Sequence, residues 1–77
     1  DNISLSKVAL NDLCTCDGVI DSSAEFLKYL DKHKIALGTQ IKVIEKESFD
    51  ESMTIVIHDS ELNISKTVAN NIYVKTH

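Results

Sequence analysis

The sequence predicts a mainly β domain: a small barrel of five to six short strands carrying one α-helix over about residues 22–33. Three observations carry that expectation. Short runs of β-branched residues alternate with period two through the second half of the chain. One segment combines a helix-start signal with apolar residues at helical spacing. The length, 77 residues, permits a single domain, one that buries only roughly 60% of its unfolded surface. Strands this short leave two exposed edges in an open sheet, and closing the sheet on itself removes both.

The elements follow in order. Ile3 and Leu5 suit a short first strand, and residues 13–20 a longer one, bounded by Asn11-Asp12 and Asp21-Ser22-Ser23. Asn and Asp tolerate the left-handed conformations that such turns require. Ser22-Ser23-Ala24-Glu25 reads as a capping box, in which the Ser22 hydroxyl accepts an amide and Glu25 reaches back to the Ser22 amide. Phe26, Leu27 and Leu30 then form the expected buried stripe, and Lys28, Lys32 and Lys34 sit towards the carbonyl end of the helix dipole. Leu37-Gly38-Thr39 turns the chain into strands at Ile41/Val43, Met53/Ile55/Ile57 and Leu62/Ile64, the last two joined through Asp59-Ser60-Glu61. A one-turn helix from Ser65 through Val68 and Ala69 precedes a final strand at Ile72/Val74. The expected architecture is a small SH3-like β-barrel, with the helix plugging one end or lying across it.

Charge excludes several functions. Twelve acids against eight bases give a net charge of −4, and every base is Lys. An acidic, Arg-free chain lacks the positive footprint of nucleic-acid binding, so no direct DNA or RNA contact is expected. No apolar run is long enough for a transmembrane helix, and no membrane partner is expected. The chain begins at Asp1 without Met or a signal-like segment, as a processed product or, more simply, an excised domain would. Cys14 and Cys16 are too close for an unstrained disulfide, which points to reduced thiols and a cytoplasmic protein.

Candidate chemistry is sparse. Asp21 and Glu25 flank the helix start and could share a hard cation through oxygen; helix-dipole and capping roles explain the same two residues without metal. Cys14-Thr15-Cys16 places both thiols on one strand face, which suits core packing better than zinc, because no second ligand pair is present beyond His33 and His58. A Cys–His nucleophile would lack an oxyanion site, since neither of the two glycines sits in a cradle-like run and His77 is terminal. An enzyme is not expected. Phe49, inside the charged run from Glu45 to Glu51, either meets a partner at a loop tip or folds back over the barrel end.

Three segments resemble FeoA-type domains: Asp21-Ser22-Ser23-Ala24-Glu25-Phe26-Leu27-Lys28-Tyr29-Leu30, Ile35-Ala36-Leu37-Gly38-Thr39-Gln40-Ile41-Lys42-Val43, and Leu62-Asn63-Ile64-Ser65 with Val68-Ala69-Asn70-Asn71-Ile72-Tyr73-Val74. Their order and spacing extend the likeness over residues 3 to 75. The sequence departs from the family at Asn11-Asp12, where a Gly-containing turn is usual, and Gly18 offers no side chain near the helix start. Asp-Ser-Ser ahead of Phe-Leu-Lys-Tyr-Leu looks like the C-terminal domain of DtxR-family repressors. The resemblance implies a regulatory domain of an iron- or manganese-dependent transcriptional repressor. That domain would contact the N-terminal DNA-binding and dimerisation domains of a homodimeric protein, and would lend metal ligands for Fe2+ or Mn2+ at Asp21 and Glu25. No cofactor is expected for the isolated domain. Two alternatives stay open: a free-standing FeoA-like protein that assists a ferrous iron transporter, and a purely structural oligomerisation domain.

Overall fold

The computed structural model describes residues 2–76; Asp1 and His77 lie outside the described residues. The order is β1 (Ile3–Ser4), a 3-10 turn (Leu5–Lys7), β2 (Leu13–Val19), α1 (Ala24–Lys32), β3 (Gln40–Lys46), β4 (Met53–Ile57), β5 (Ser60–Ile64), α2 (Lys66–Asn70) and β6 (Ile72–Thr76). All strands join one antiparallel sheet in the order β1-β6-β2-β3-β4-β5. The mainly β, SH3-like expectation holds, including the short helix after Ser65, whose hydroxyl accepts from the Val68 amide at 3.2 Å.

One face of this sheet carries the core. Cys14 and Cys16 of β2, Ile41 and Val43 of β3, Met53, Ile55 and Ile57 of β4, Ile64 of β5, and Ile72 and Val74 of β6 are all buried. The period of two places them on one side, as the sequence alternation requires. The two helices bury just one residue each, Leu30 and Ala69. Leu5, Val8 and Ile35, from the 3-10 turn and the loops, complete the core, and for the rest the sheet curls around its own side chains. Register shifts between Cys16 and Gly18 on β2, and between Val43 and Glu45 on β3, supply the bends.

Several expectations need correction. The hydrogen-bonded ladder does not close into a full barrel: β1 and β5 end it without pairing to each other. Both edges are blunted, β1 by being two residues long and β5 by its exposed Glu61 and Asn63. Leu5 lies in the 3-10 turn rather than on a first strand, where it is fully buried. The β4–β5 turn is His58-Asp59, not Asp59-Ser60-Glu61, because Ile57 pairs directly with Ser60. Both turn residues have positive φ, 48° and 64°, as a type I′ turn demands and as the strand twist favours.

The helix also starts one residue later than the capping box implied. Ser23, not Ser22, is the N-cap, accepting from the Phe26 amide at 3.3 Å. The Ser23 amide is taken by Asp21 Oδ1 at 2.9 Å, a bond that replaces the expected Glu25 reach-back. At the other end, the Lys34 amide bonds to the Asp31 carbonyl at 3.0 Å and the Ile35 amide to the Leu30 carbonyl at 2.9 Å. This is a Schellman closure with Lys34 at φ 60°, a position that glycine usually fills. Leu30 and Ile35 are both buried there, providing the apolar contact that accompanies the motif.

Two stability measurements follow from these placements. Lys34→Gly should raise the unfolding free energy by about 0.5–1 kcal/mol by relieving the left-handed conformation of a residue with a Cβ. Ile55→Ala, in the centre of the core, should lower it by about 2–5 kcal/mol, whereas Phe49→Ala should stay within about 0.5 kcal/mol in the same denaturant titration.

Candidate functional site

The two metal candidates stand at the entrance to α1. The bond from the Ser23 amide occupies one oxygen of Asp21 and holds the carboxylate against the helix start, leaving its second oxygen for another partner. Glu25 is exposed in the first helical turn, where an acid is favoured by the dipole. Both offer hard oxygen ligands, the type that suits manganese or ferrous iron together with imidazole. No cluster of three or more His, Cys, Asp or Glu able to hold a metal occurs among the described residues.

Phe49 is 96% exposed, which decides between the two positions considered for it: the ring does not fold back over the core. The β3–β4 tip that presents it is well ordered by hydrogen bonds. The Glu47 amide bonds to the Ser52 carbonyl at 2.9 Å, the Glu51 amide to the Glu47 carbonyl at 2.8 Å, and the Ser52 amide to Asp50 Oδ1 at 3.0 Å. The last of these bonds holds the Asp50 carboxyl below its ordinary range. Beside the tip, a polar cleft of about 460 Å³ includes Lys7, Lys46, Lys66, Glu47 and Glu51, with Lys66 and Glu51 paired at 2.6 Å.

A more apolar feature lies between α1 and β2. The helix stands off β2, and the gap is an open groove of about 490 Å³. Leu27 and Leu30 form one wall, Gly18 and Val19 the other, and Ile35 and Leu37 close the end. Leu27, expected in the buried stripe, is 45% exposed at the groove rim, and Leu37 is 75% exposed. Phe26 and Tyr29, on the adjacent helix face, are half-buried against the core, and Tyr29 packs on His33 with ring centroids 4.6 Å apart. Sequence reasoning missed the groove, because Leu27 follows the helical period of a core residue. The one available signal was Leu37 beside Gly38, an apolar residue inside a turn.

The thiols are core residues. Cys14 is fully buried and its Sγ–H donates to the Ile41 carbonyl at 3.4 Å. Burial pushes the Cys14 thiol from its ordinary 9.0 up to about 11, with smaller contributions from Cys16 and Asp12. Cys16 is raised too, chiefly by burial, against a lowering hydrogen bond from the Gly18 backbone. His58, weighed as a thiol partner, is used elsewhere: its Nε2 donates to the Lys34 carbonyl at 2.9 Å and ties the β4–β5 turn to the end of α1. An aromatic disulfide reagent at pH 8 should leave both native thiols unmodified and titrate them fully in denaturant. The raised Cys14 pKa favours the native state most while the unfolded thiol is still protonated. Stability should therefore fall as the pH rises from 9.0 towards 11, readable as a dropping unfolding midpoint.

No helix among the described residues is long and apolar enough to cross a membrane. A family model described as the FeoA domain matches residues 3–76. No curated protein matches the chain in sequence at a significant level. Among solved structures, the manganese regulator SloR superposes with a TM-score of 0.86 at 23% identity, over 97% of this chain and 34% of its own. A manganese-dependent transcriptional repressor superposes with 0.90 at 18% identity, over 99% of this chain and 42% of its own. A FeoA-like protein from Clostridium acetobutylicum gives 0.87 at 19% identity, over 97% of this chain and 86% of its own. At these identities the likenesses show a shared fold. The chain spans well under half the length of the two regulators and most of the FeoA-like protein. Matched over nearly its whole length, the chain belongs to the FeoA domain family.

Proposed function

We propose that this chain is the non-catalytic regulatory domain of a cytoplasmic iron- or manganese-dependent transcriptional repressor. Its partners would be the DNA-binding and dimerisation domains of the same homodimeric protein, joined N-terminal to it. The observation that carries the reading is the fold shared with two regulators of which this chain spans only a fraction, leaving most of their length for other tasks. The acidic, Arg-free composition agrees with DNA contact being made elsewhere. Asp21 and Glu25 would lend oxygen ligands to Mn2+ or Fe2+, and the metal would favour the arrangement of domains that binds DNA. Such an effect is a coupling free energy between the metal site and the DNA surface. Phe49, on its ordered tip, is a second contact point for those domains.

A free-standing FeoA-like protein acting beside a ferrous iron transporter is the second reading. It is favoured by the extent to which this chain matches the Clostridium acetobutylicum protein end to end.

The intact gene product separates the two. In the repressor reading it carries an upstream DNA-binding segment, and its operator affinity rises with manganese or iron. Asp21→Asn, which keeps the oxygen that accepts from Ser23, and Glu25→Gln should each raise the half-saturating metal concentration about tenfold in a gel-shift titration. An unchanged metal response would remove the ligand role, and DNA binding indifferent to metal would sink the repressor reading altogether.

A further inference from the structure

We propose that the groove between α1 and β2 receives a polypeptide segment in which a large apolar side chain is flanked by lysine or arginine. The proposal deepens the interaction-domain reading, and rests on it only in taking the occupant to be a polypeptide.

The first support is shape and surface. The groove's volume of about 490 Å³ falls within the range of clefts that receive small ligands. Its rim exposes Leu27 and Leu37, whereas most apolar residues of this small chain are spent on the core. An apolar surface that is concave and continuous marks a contact site more strongly than scattered single residues do.

The second support is charge. Asp17 on the β2 wall and Asp31 on the α1 wall both line the groove, and no lysine does. Among the described residues neither carboxylate holds a hydrogen bond or an ion pair within the chain. Two unpaired carboxylates beside an apolar floor, in a chain of net charge −4, attract a cationic segment and repel an acidic one.

The same electrostatics decide against a second copy of this chain. Its most exposed large apolar side chain is Phe49, and that tip carries the carboxylates of Glu47 and Asp50, with Glu51 paired to Lys66 and Lys46 beside Glu47. Seating it between Asp17 and Asp31 would bring like charges together.

The test is an amide NMR titration of the 77-residue chain with two short peptides. One holds two leucines between lysines, and the other has glutamates in place of the lysines. The lysine peptide should give saturable shifts at Val19, Leu27, Asp31 and Leu37, and should bind at least about tenfold more tightly than the glutamate peptide. Added salt should narrow that difference. Leu37→Ser, at a position too exposed to disturb the core, should abolish binding of both peptides. Asp31→Lys should reverse the preference.

Equal binding of the two peptides would overturn the choice of partner. Shifts confined to the Phe49 tip, or none that saturate, would overturn the groove itself. A dimer of the chain abolished by Leu37→Ser would place a second copy there and likewise overturn the proposal. Peptide binding by a chain whose intact gene product ignores metal would keep the groove and discard the repressor.

Discussion

The inner face of the sheet has to bury mostly against itself, with Leu5, Val8, Leu30, Ile35 and Ala69 as the buried apolar residues from outside the strands, and much of the structure follows from that constraint. In a chain of this length there is no second sheet, and α1 and α2 each surrender one residue to the core. Cys14 and Cys16 sit on β2, the strand paired to β6 on one side and β3 on the other, so their small side chains lie where the curl is enclosed from both flanks. The bulges on β2 and β3 turn a ladder that would otherwise be flatter into one that wraps its contents. Small thiols there, and branched side chains facing them from β3, β4 and β6, fill the enclosed space without polar atoms that need partners.

A helix that gives the core only Leu30 and the half-buried Phe26 and Tyr29 keeps the rest of its surface for other contacts. α1 is fastened at its two ends more than along its length. Asp21 and Ser23 fix the first turn, while the Lys34 closure, the Leu30–Ile35 contact and the His58 bond fix the last. Between these points it stands clear of β2, and the groove is the space that results. The metal candidates lie at the first fastening and the apolar groove along the middle. One short helix therefore carries both surfaces by which this domain could respond to a metal and to a neighbouring polypeptide. A cation that pulled on Asp21 would act on the residue that already sets where the helix begins.

The two outward features differ in kind. Phe49 projects from a hairpin end held by its own backbone bonds, so its exposure costs the fold nothing and its position is well defined. Leu27 and Leu37 are exposed because their surroundings are concave and unfilled. The first is a knob with acidic neighbours, the second a hole with acidic walls. Their like charges disfavour a fit of one into the other between copies.

Local periodicity was enough to place every strand of the second half, the single long helix and the short one after Ser65, because alternation and helical spacing are properties of neighbouring residues. Composition by itself carries the expectation of no nucleic-acid contact, since charge needs no fold to be counted. The likeness to FeoA-type domains was also legible, from the order of three short segments. The offsets that were misread, Ser23 for Ser22 and His58-Asp59 for Asp59-Ser60-Glu61, arose where Ser, Asp and Lys can each serve several adjacent positions. There the choice is made by which hydrogen-bonded pairing forms, as Ile57 facing Ser60 makes it for the turn. Whether an apolar helical residue is core or rim depends on how far the helix stands from the sheet. Leu27 and Leu30 satisfy the same period, and only the tertiary packing separates them: Leu30 meets Ile35 and the core, and Leu27 faces the open groove.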